Sequence, residues 1–410
     1  MNKPNPLNLR AAADAFLHKR RLGDRQVTGL FISRIKIGAV LFVVCLLLAC
    51  ARQDSERSSQ TDYASLSWPI FRGNPALQGT AEGELSAKLK LLWTFSAGDD
   101  IKASPIVGLG CVYVGSLNDT LYCVDPADGA RRWAVGLGDD IEAPALLVDS
   151  TLYLGTLGGK FYALNARSGE VLWERQVDGE IYGSANAAGE GIVVGCYDGL
   201  MRCFSRDGRL IWSYETANYI NGAPAIDEEL VVFGGCDSQL HLLNAVDGSR
   251  AESVKVGAFV AGSPAVLDHV AYIGVFNGSL IAFDLTQKKE IWYYDAEGKA
   301  GAFFSSPAVN EELVVIGGRD RRLHAVDRRT GRAVWTFTAR GDIDGSPVIC
   351  GDKVVAASKD GRLYLLSLKS GSLLWSYEVG AELIGSPAVC GGMILIGAVD
   401  GKLYAFGETR

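Results

Sequence analysis

The chain is poor in the residues from which most catalytic and metal centres are built. Its 410 residues include four histidines, His18, His241, His269 and His324, and no His/Cys cluster has zinc-ligand spacing. No Gly-x-Ser-x-Gly elbow and no phosphate-cradling loop occurs. Asp-Gly pairs are present, but none belongs to the ligand series that a calcium loop requires. Seven cysteines lie beyond Cys50, at 111, 123, 196, 203, 236, 350 and 390; they are odd in number and none are adjacent. Cys196 and Cys203 flank a turn but sit diagonally across it, so buried small hydrophobes are expected here and not a disulfide framework. Positive charge is scarce as well. The chain carries a net charge of −7, and residues 1–49 hold eight basic and two acidic residues. The remainder therefore has 32 basic against 45 acidic, a net −13. A phosphate backbone needs a basic footprint, so nucleic acid is not expected as a partner.

What the chain has in abundance is repetition. A tryptophan recurs at Trp93, Trp133, Trp173, Trp212, Trp292, Trp335 and Trp375, with Glu252 where another should stand. The spacings are 40, 40, 39, 40, 40, 43 and 40 residues. A period near forty with strand-like content is the signature of a propeller blade. Each copy reads as four short strands. In one copy these are FFSSPAV, ELVVIGG, RLHAVD and RAVWTF, starting from Phe303. Asp-Gly and Asn-Gly pairs such as Asp198-Gly199 and Asn277-Gly278 close the second-to-third hairpin, because both positions accept positive φ. From an apolar opener (Ile101, Ile141, Ile181, Ile220, Val260, Phe303, Ile343, Leu383) to the last residue of the second strand is fourteen residues in every copy. Small residues and proline follow the opener, as expected for strands converging on an axis. The last copy lacks a fourth strand, and a spare one surrounds Trp93 ahead of the first copy. The expected fold is all-β: an eight-bladed β-propeller of four-stranded antiparallel blades over residues 89–410, its ring closed by the N-terminal strand.

The N-terminus reads as a targeting segment. Arginines and lysines precede the uncharged apolar run Ile37–Ala49, which is too short to cross a bilayer comfortably as a helix. Residues 1–49 are expected to be a secretory signal peptide. The ending Leu47-Leu48-Ala49-Cys50 resembles a bacterial lipobox, which implies lipidation at Cys50. Residues 50–67 are then the lipidated cysteine and a polar, flexible tether. Ala51 directly after the cysteine favours the outer membrane under the enterobacterial sorting rule.

The run Asn165-Ala166-Arg167-Ser168-Gly169-Glu170-Val171-Leu172-Trp173, and likewise Asp327 through Thr330-Gly331 to Trp335, resembles the repeat of pyrroloquinoline-quinone-type (PQQ-like) propellers. Residues 68–88, opening Trp68-Pro69-Ile70-Phe71-Arg72-Gly73-Asn74-Pro75, look like that family's N-terminal lead-in. The resemblance implies that each repeated tryptophan docks on a neighbouring blade. Glu252 and Lys288 depart from it, so the junction of blades 4 and 5 is expected to be the loosest. Quinone-dependent dehydrogenases of this fold carry an adjacent Cys-Cys pair, calcium and long inserted loops, and this chain matches none of that pattern. No cofactor, metal or catalytic residue is therefore expected.

One position stands out. The residue after each opener is Lys102, Glu142, Tyr182, Asn221, Ala261, Phe304, Asp344 or Ile384. Its neighbours are constrained while it varies freely, which suggests an asymmetric binding funnel of Lys102, Glu142, Tyr182, Asn221, Phe304 and Asp344 at one mouth of the channel. The three-residue insertion within Asp295–Ala300 would border that mouth. The expected function is a non-enzymatic, lipid-anchored envelope scaffold binding protein partners, resembling the propeller lipoproteins of outer-membrane β-barrel assembly. The alternatives are a small quinoprotein dehydrogenase and a periplasmic sensor of a small ligand or glycan.

Overall fold

The computed structural model describes residues 63–296 and 301–408, and every regular element among them is a strand. The expectations for the signal peptide, for Cys50, for most of the tether and for Glu297 to Ala300 lie outside the described residues. Eight sheets form, one per repeat, each ordered from an inner to an outer strand. In blade 1 these strands are Ile106–Gly108, Cys111–Gly115, Thr120–Val124 and Arg131–Gly136. The second and third strands of the blades are almost wholly buried, while the outer strands alternate between exposed and covered residues. Ring closure pairs Lys90–Ser96 antiparallel with Lys402–Gly407, from Lys90 opposite Gly407 to Ser96 opposite Lys402.

The openers explain the rigid fourteen-residue register. All eight are fully buried. Each sits against the residue that ends the second strand of the preceding blade, and a Cβ on Gly115, Gly155 or Gly397 would fall 2.1–2.2 Å from the next opener. The glycine makes room for the neighbour's side chain, and burying each opener stabilises the blade junction by roughly 1.5–3 kcal/mol. Leu383 has no branch at Cβ, and there the partner is Ala357.

The first strands differ from the sequence expectation. FFSSPAV reads as one strand, but only Ala308–Val309 joins the sheet. Prolines offer no amide to the ladder, and the residues before them bond sideways to neighbouring blades. Backbone N–H groups of Ala223, Ser263, Ser306, Ser346 and Ser386 donate to the hydroxyls of Ser263, Ser306, Ser346, Ser386 and Ser104 in turn. Five of the blade junctions are thus stitched around the axis. Pro144 holds the corresponding position in blade 2.

The repeated tryptophans lie on the turn glycine of the next blade. A Cβ on Gly129, Gly331 or Gly371 would meet the ring of Trp93, Trp292 or Trp335 at 2.5–2.6 Å. Those glycines have positive φ, and their lack of a side chain also gives the indole a flat seat. The indole Nε1 of Trp93, Trp173, Trp212, Trp292 and Trp335 donates to the carbonyls of Pro126, Arg206, Ala245, Arg328 and Leu368. At Trp133 the corresponding carbonyl, of Ala166, accepts instead from the Tyr113 hydroxyl. Trp375 faces blade 8, which has no third-to-fourth turn, and packs against Phe406 with 5.6 Å between ring centroids. At the blade 4 to blade 5 junction Lys288 Nζ donates to the carbonyl of Ala251.

His241 and His324 occupy the third-strand position held elsewhere by tyrosine. His241 Nε2 meets Asp237 at 3.0 Å, and His324 Nε2 meets Asp320 at 3.1 Å. The hydroxyls of Tyr364 and Tyr404 donate to the equivalent Asp360 and Asp400. Burial lowers the pKa of His241, against the pull of Asp237 that raises it. Protonation is therefore easier in the unfolded chain. Above the ordinary histidine pKa the ring is neutral in both states and makes no difference. Stability is lost as pH falls below that value. His241→Tyr is expected to keep the bond to Asp237 and to flatten the stability profile between pH 7 and pH 5, measured as the urea midpoint. An unchanged pH slope would assign the effect elsewhere.

Candidate functional site

All eight variable residues after the openers line one cavity of about 180 Å³ on the axis. Serines of the stitching ring lie among them, and Phe71 of the lead-in is part of its lining. The lead-in closes the far end. Six positions beyond six of the openers, an inner-strand amide reaches it. The N–H groups of Val107, Leu147, Ile226, Val266, Val309 and Ile349 donate to the carbonyls of Trp68, Pro69, Pro75, Ala76, Gln78 and Gly79. Asn186 in blade 3 donates through its side chain to Pro75. Thr80–Ala81 then pairs parallel with the inner strand of blade 7. At the centre Arg72 is fully buried, and its Nη1 and Nη2 donate to the carbonyls of Pro347 and Pro307 at 2.6 and 2.9 Å. The funnel is therefore a blind cup.

Its walls are electrostatically uneven. Asp344 is clamped by Arg319 through two 2.9 Å bonds and by Lys359 at 2.7 Å. These partners hold its carboxyl below the usual range against the burial that opposes them. Arg319 also lies over the Phe304 ring, 3.3 Å from its centroid. On the opposite wall burial pushes the Glu142 carboxyl upward, with Lys102 pulling it back. Asn221 accepts from the Tyr197 hydroxyl and donates to the carbonyl of Ala261. Phe303 is fully buried, and Phe304 is partly exposed at the cup wall.

The rim carries a signal that the opener-based pattern passed over. The residues just before the openers are Asp100, Asp140, Glu180, Tyr219, Phe259, Ala302, Asp342 and Glu382. Each accepts, at its carbonyl, the amide of a residue in the second-to-third turn of its own blade, so all eight are geometrically equivalent. Five are acidic, yet at blades 4 and 5 the residue is aromatic. Tyr219, Phe259 and the turn residue Phe276 expose 53%, 47% and 41% of their surface. Two aromatic chains run inward from them. Tyr219 stacks on Tyr197 at 5.0 Å and Tyr197 meets Tyr182 at 4.6 Å. Phe259, Phe276 and Phe304 follow one another at 5.5 and 5.4 Å. The position just before the opener was the available clue, since it changes from acid to aromatic over two consecutive repeats.

Bare repeats, a blind polar cup and a rim split between acid and aromatic describe an eight-bladed PQQ-like β-propeller with a cup on one face. The chain belongs to the β-propeller family whose model is described as the propeller of the beta-alanine-activating enzyme, which matches residues 84–326. A second family model, described as outer membrane protein assembly factor BamB, matches residues 319–409. BamB of Nitrosomonas eutropha is 26% identical over 175 residues, which are 39% of this chain and 42% of that protein. The alignments thus span less than half the length of the curated relatives. Among solved structures, BamB from Moraxella catarrhalis superposes with a TM-score of 0.68 at 21% identity, covering 79% of this chain and 98% of that one. Quinohemoprotein alcohol dehydrogenase from Comamonas testosteroni superposes with a TM-score of 0.72 at 15% identity, covering 85% and 82%. At these identities the two structures share the fold with this chain.

Proposed function

We propose that this chain is a non-enzymatic scaffold of the bacterial envelope, tethered by a lipid on Cys50 and facing the periplasm, whose cup face binds a protein partner in outer-membrane β-barrel assembly. The observation that carries the binding face is the aromatic patch of Tyr219, Phe259 and Phe276, presented on rigid turns beside a mostly acidic rim. Aromatic anchors at a rim of fixed geometry are the usual source of interface energy. The similarity to BamB, in sequence and in fold, supports the assembly role. Cys50→Ser is expected to abolish incorporation of labelled fatty acid, and equal labelling of the variant would remove the anchor from the proposal.

A photo-crosslinking residue placed at Phe276 tests the face, with Leu172 on an outer strand, 52% exposed, as the control site. Crosslinks from position 276 to an outer-membrane assembly protein, and none from 172, are the expected outcome. Equal crosslinking from both sites would move the interface off the cup. Incubation with pyrroloquinoline quinone and calcium separates this function from that of a dehydrogenase. Retention of a quinone chromophore with dye-linked alcohol oxidation would overturn the scaffold assignment.

A further inference from the structure

Blade 1 holds two cysteines that the cup does not use. Cys111 opens the second strand and Cys123 lies near the end of the third, where it pairs across with Tyr113 on one side and Trp133 on the other. Both are buried. The fold itself brings these positions together: in blade 3 they are Gly191 and Cys203, and a Cβ on Gly191 would fall 2.3 Å from Cys203 Sγ. In blade 1 the same placement sets the Cys123 thiol beside the Cys111 sulfur, and their interaction favours the Cys111 thiolate. From the outer strand, Arg132 Nη1 donates to the same sulfur at 3.3 Å while its Nη2 is held by Asp125 at 2.8 Å. Two groups thus converge on one sulfur. They favour its thiolate, Cys123 first and Arg132 after it, against burial. At Cys196, Cys203, Cys236, Cys350 and Cys390 burial dominates and pushes the thiol up, outweighing the pulls of Arg202 on Cys196 and of Lys353 on Cys350.

We propose that Cys111 and Cys123 form a redox-active dithiol that closes to a disulfide within blade 1, with Cys111 as the attacking sulfur, Cys123 as the resolving one and Arg132 as the positioning residue. With hydrogen peroxide as oxidant the steps balance. The Cys111 thiolate attacks one peroxide oxygen, the S–O bond forms, the O–O bond breaks, and hydroxide leaves to become water. Cys123 sulfur then attacks the sulfenic Cys111, the S–S bond forms, the S–O bond breaks, and the departing hydroxide takes the Cys123 proton as a second water. Two thiols and one peroxide give one disulfide and two waters. The resolving thiol is already in contact, so closure competes with further oxidation of the sulfenic acid.

Both cysteines fall in one tryptic peptide, residues 103–131. The folded full-length protein is treated with hydrogen peroxide, alkylated under denaturing conditions, digested and weighed. The expected product is that peptide lighter by two hydrogens and unalkylated at Cys111 and Cys123, appearing before any other cysteine is oxidised. Cys123→Ser should instead leave a sulfenic acid on Cys111 that dimedone traps. Arg132→Gln, at a surface position, should slow disulfide formation about tenfold by withdrawing a donor from the thiolate, with the circular dichroism spectrum unchanged. Conservative Arg132→Lys should restore part of the rate. Prior oxidation of another cysteine, or an Arg132→Gln rate equal to the parent's, would overturn the assignment.

Discussion

Removal of residues 90–96 is expected to abolish cooperative unfolding. The deleted segment is the outer strand of blade 8, paired along Lys402–Gly407. Without it that strand becomes an unpaired, mostly apolar edge on the ring's final blade, a form that invites pairing between molecules. The deletion also takes away Trp93, which is buried against Gly129 and donates to the carbonyl of Pro126. Losing one buried tryptophan alone costs roughly 3–5 kcal/mol. A folded domain commonly has only about 5–15 kcal/mol of stability in total. The deleted protein should aggregate on size-exclusion chromatography, and its tryptophan fluorescence should change gradually across a urea titration. Trp93→Ala keeps the strand pairing and should remain cooperative with a lowered midpoint. A deletion variant that stays monomeric and unfolds as sharply as the parent would refute closure by this strand.

Arg72→Ala should be the most damaging single substitution in the lead-in. The guanidinium is fully buried and donates to two proline carbonyls in blades 6 and 7. Burial pulls its pKa down to about 9, so it remains charged at neutral pH. Hydrogen bonds from a charged donor contribute about 1.5–3 kcal/mol each, and the cost of burying the charge offsets part of that. A net loss of roughly 2–4 kcal/mol follows, because the alanine leaves two buried carbonyls unpaired. Arg72→Lys keeps the charge without the fork and should recover little. The urea midpoint measures the loss. A midpoint within error of the parent's would mean that the backbone bonds of the lead-in hold the plug unaided.

Much of the fold was legible in the sequence because its determinants are side chains at fixed intervals. Trp93 through Trp375 mark the period, and the missing fourth strand of the last copy pointed to the pairing of the Trp93 segment with the C-terminal strand. The residues after the openers do line a single cavity, since a register without insertions carries each to the same height on the axis. The path of the lead-in was not legible. It is held by backbone carbonyls, which leave no periodic trace in residue types, and only Arg72 and the apolar Trp68, Ile70 and Leu77 hint at burial. The first strands were read too long because Ser-Pro segments extend like strands while bonding sideways. Acidic residues before the openers resembled ordinary solvent-facing turn residues, so the switch to Tyr219 and Phe259 passed unremarked.

The lead-in and the Lys90–Ser96 strand leave the ribosome before the blades they join, and the partners of the strand come last. Each inner-strand amide the lead-in accepts belongs to a blade made after it, the last of these in blade 7, and its neighbouring strand waits for Lys402–Gly407. Individual blades can form as they emerge, but contacts that span the whole chain are slow to find. The nascent protein must therefore stay open until its synthesis is nearly finished. A chain held in that state locks only when Lys90–Ser96 meets Lys402–Gly407.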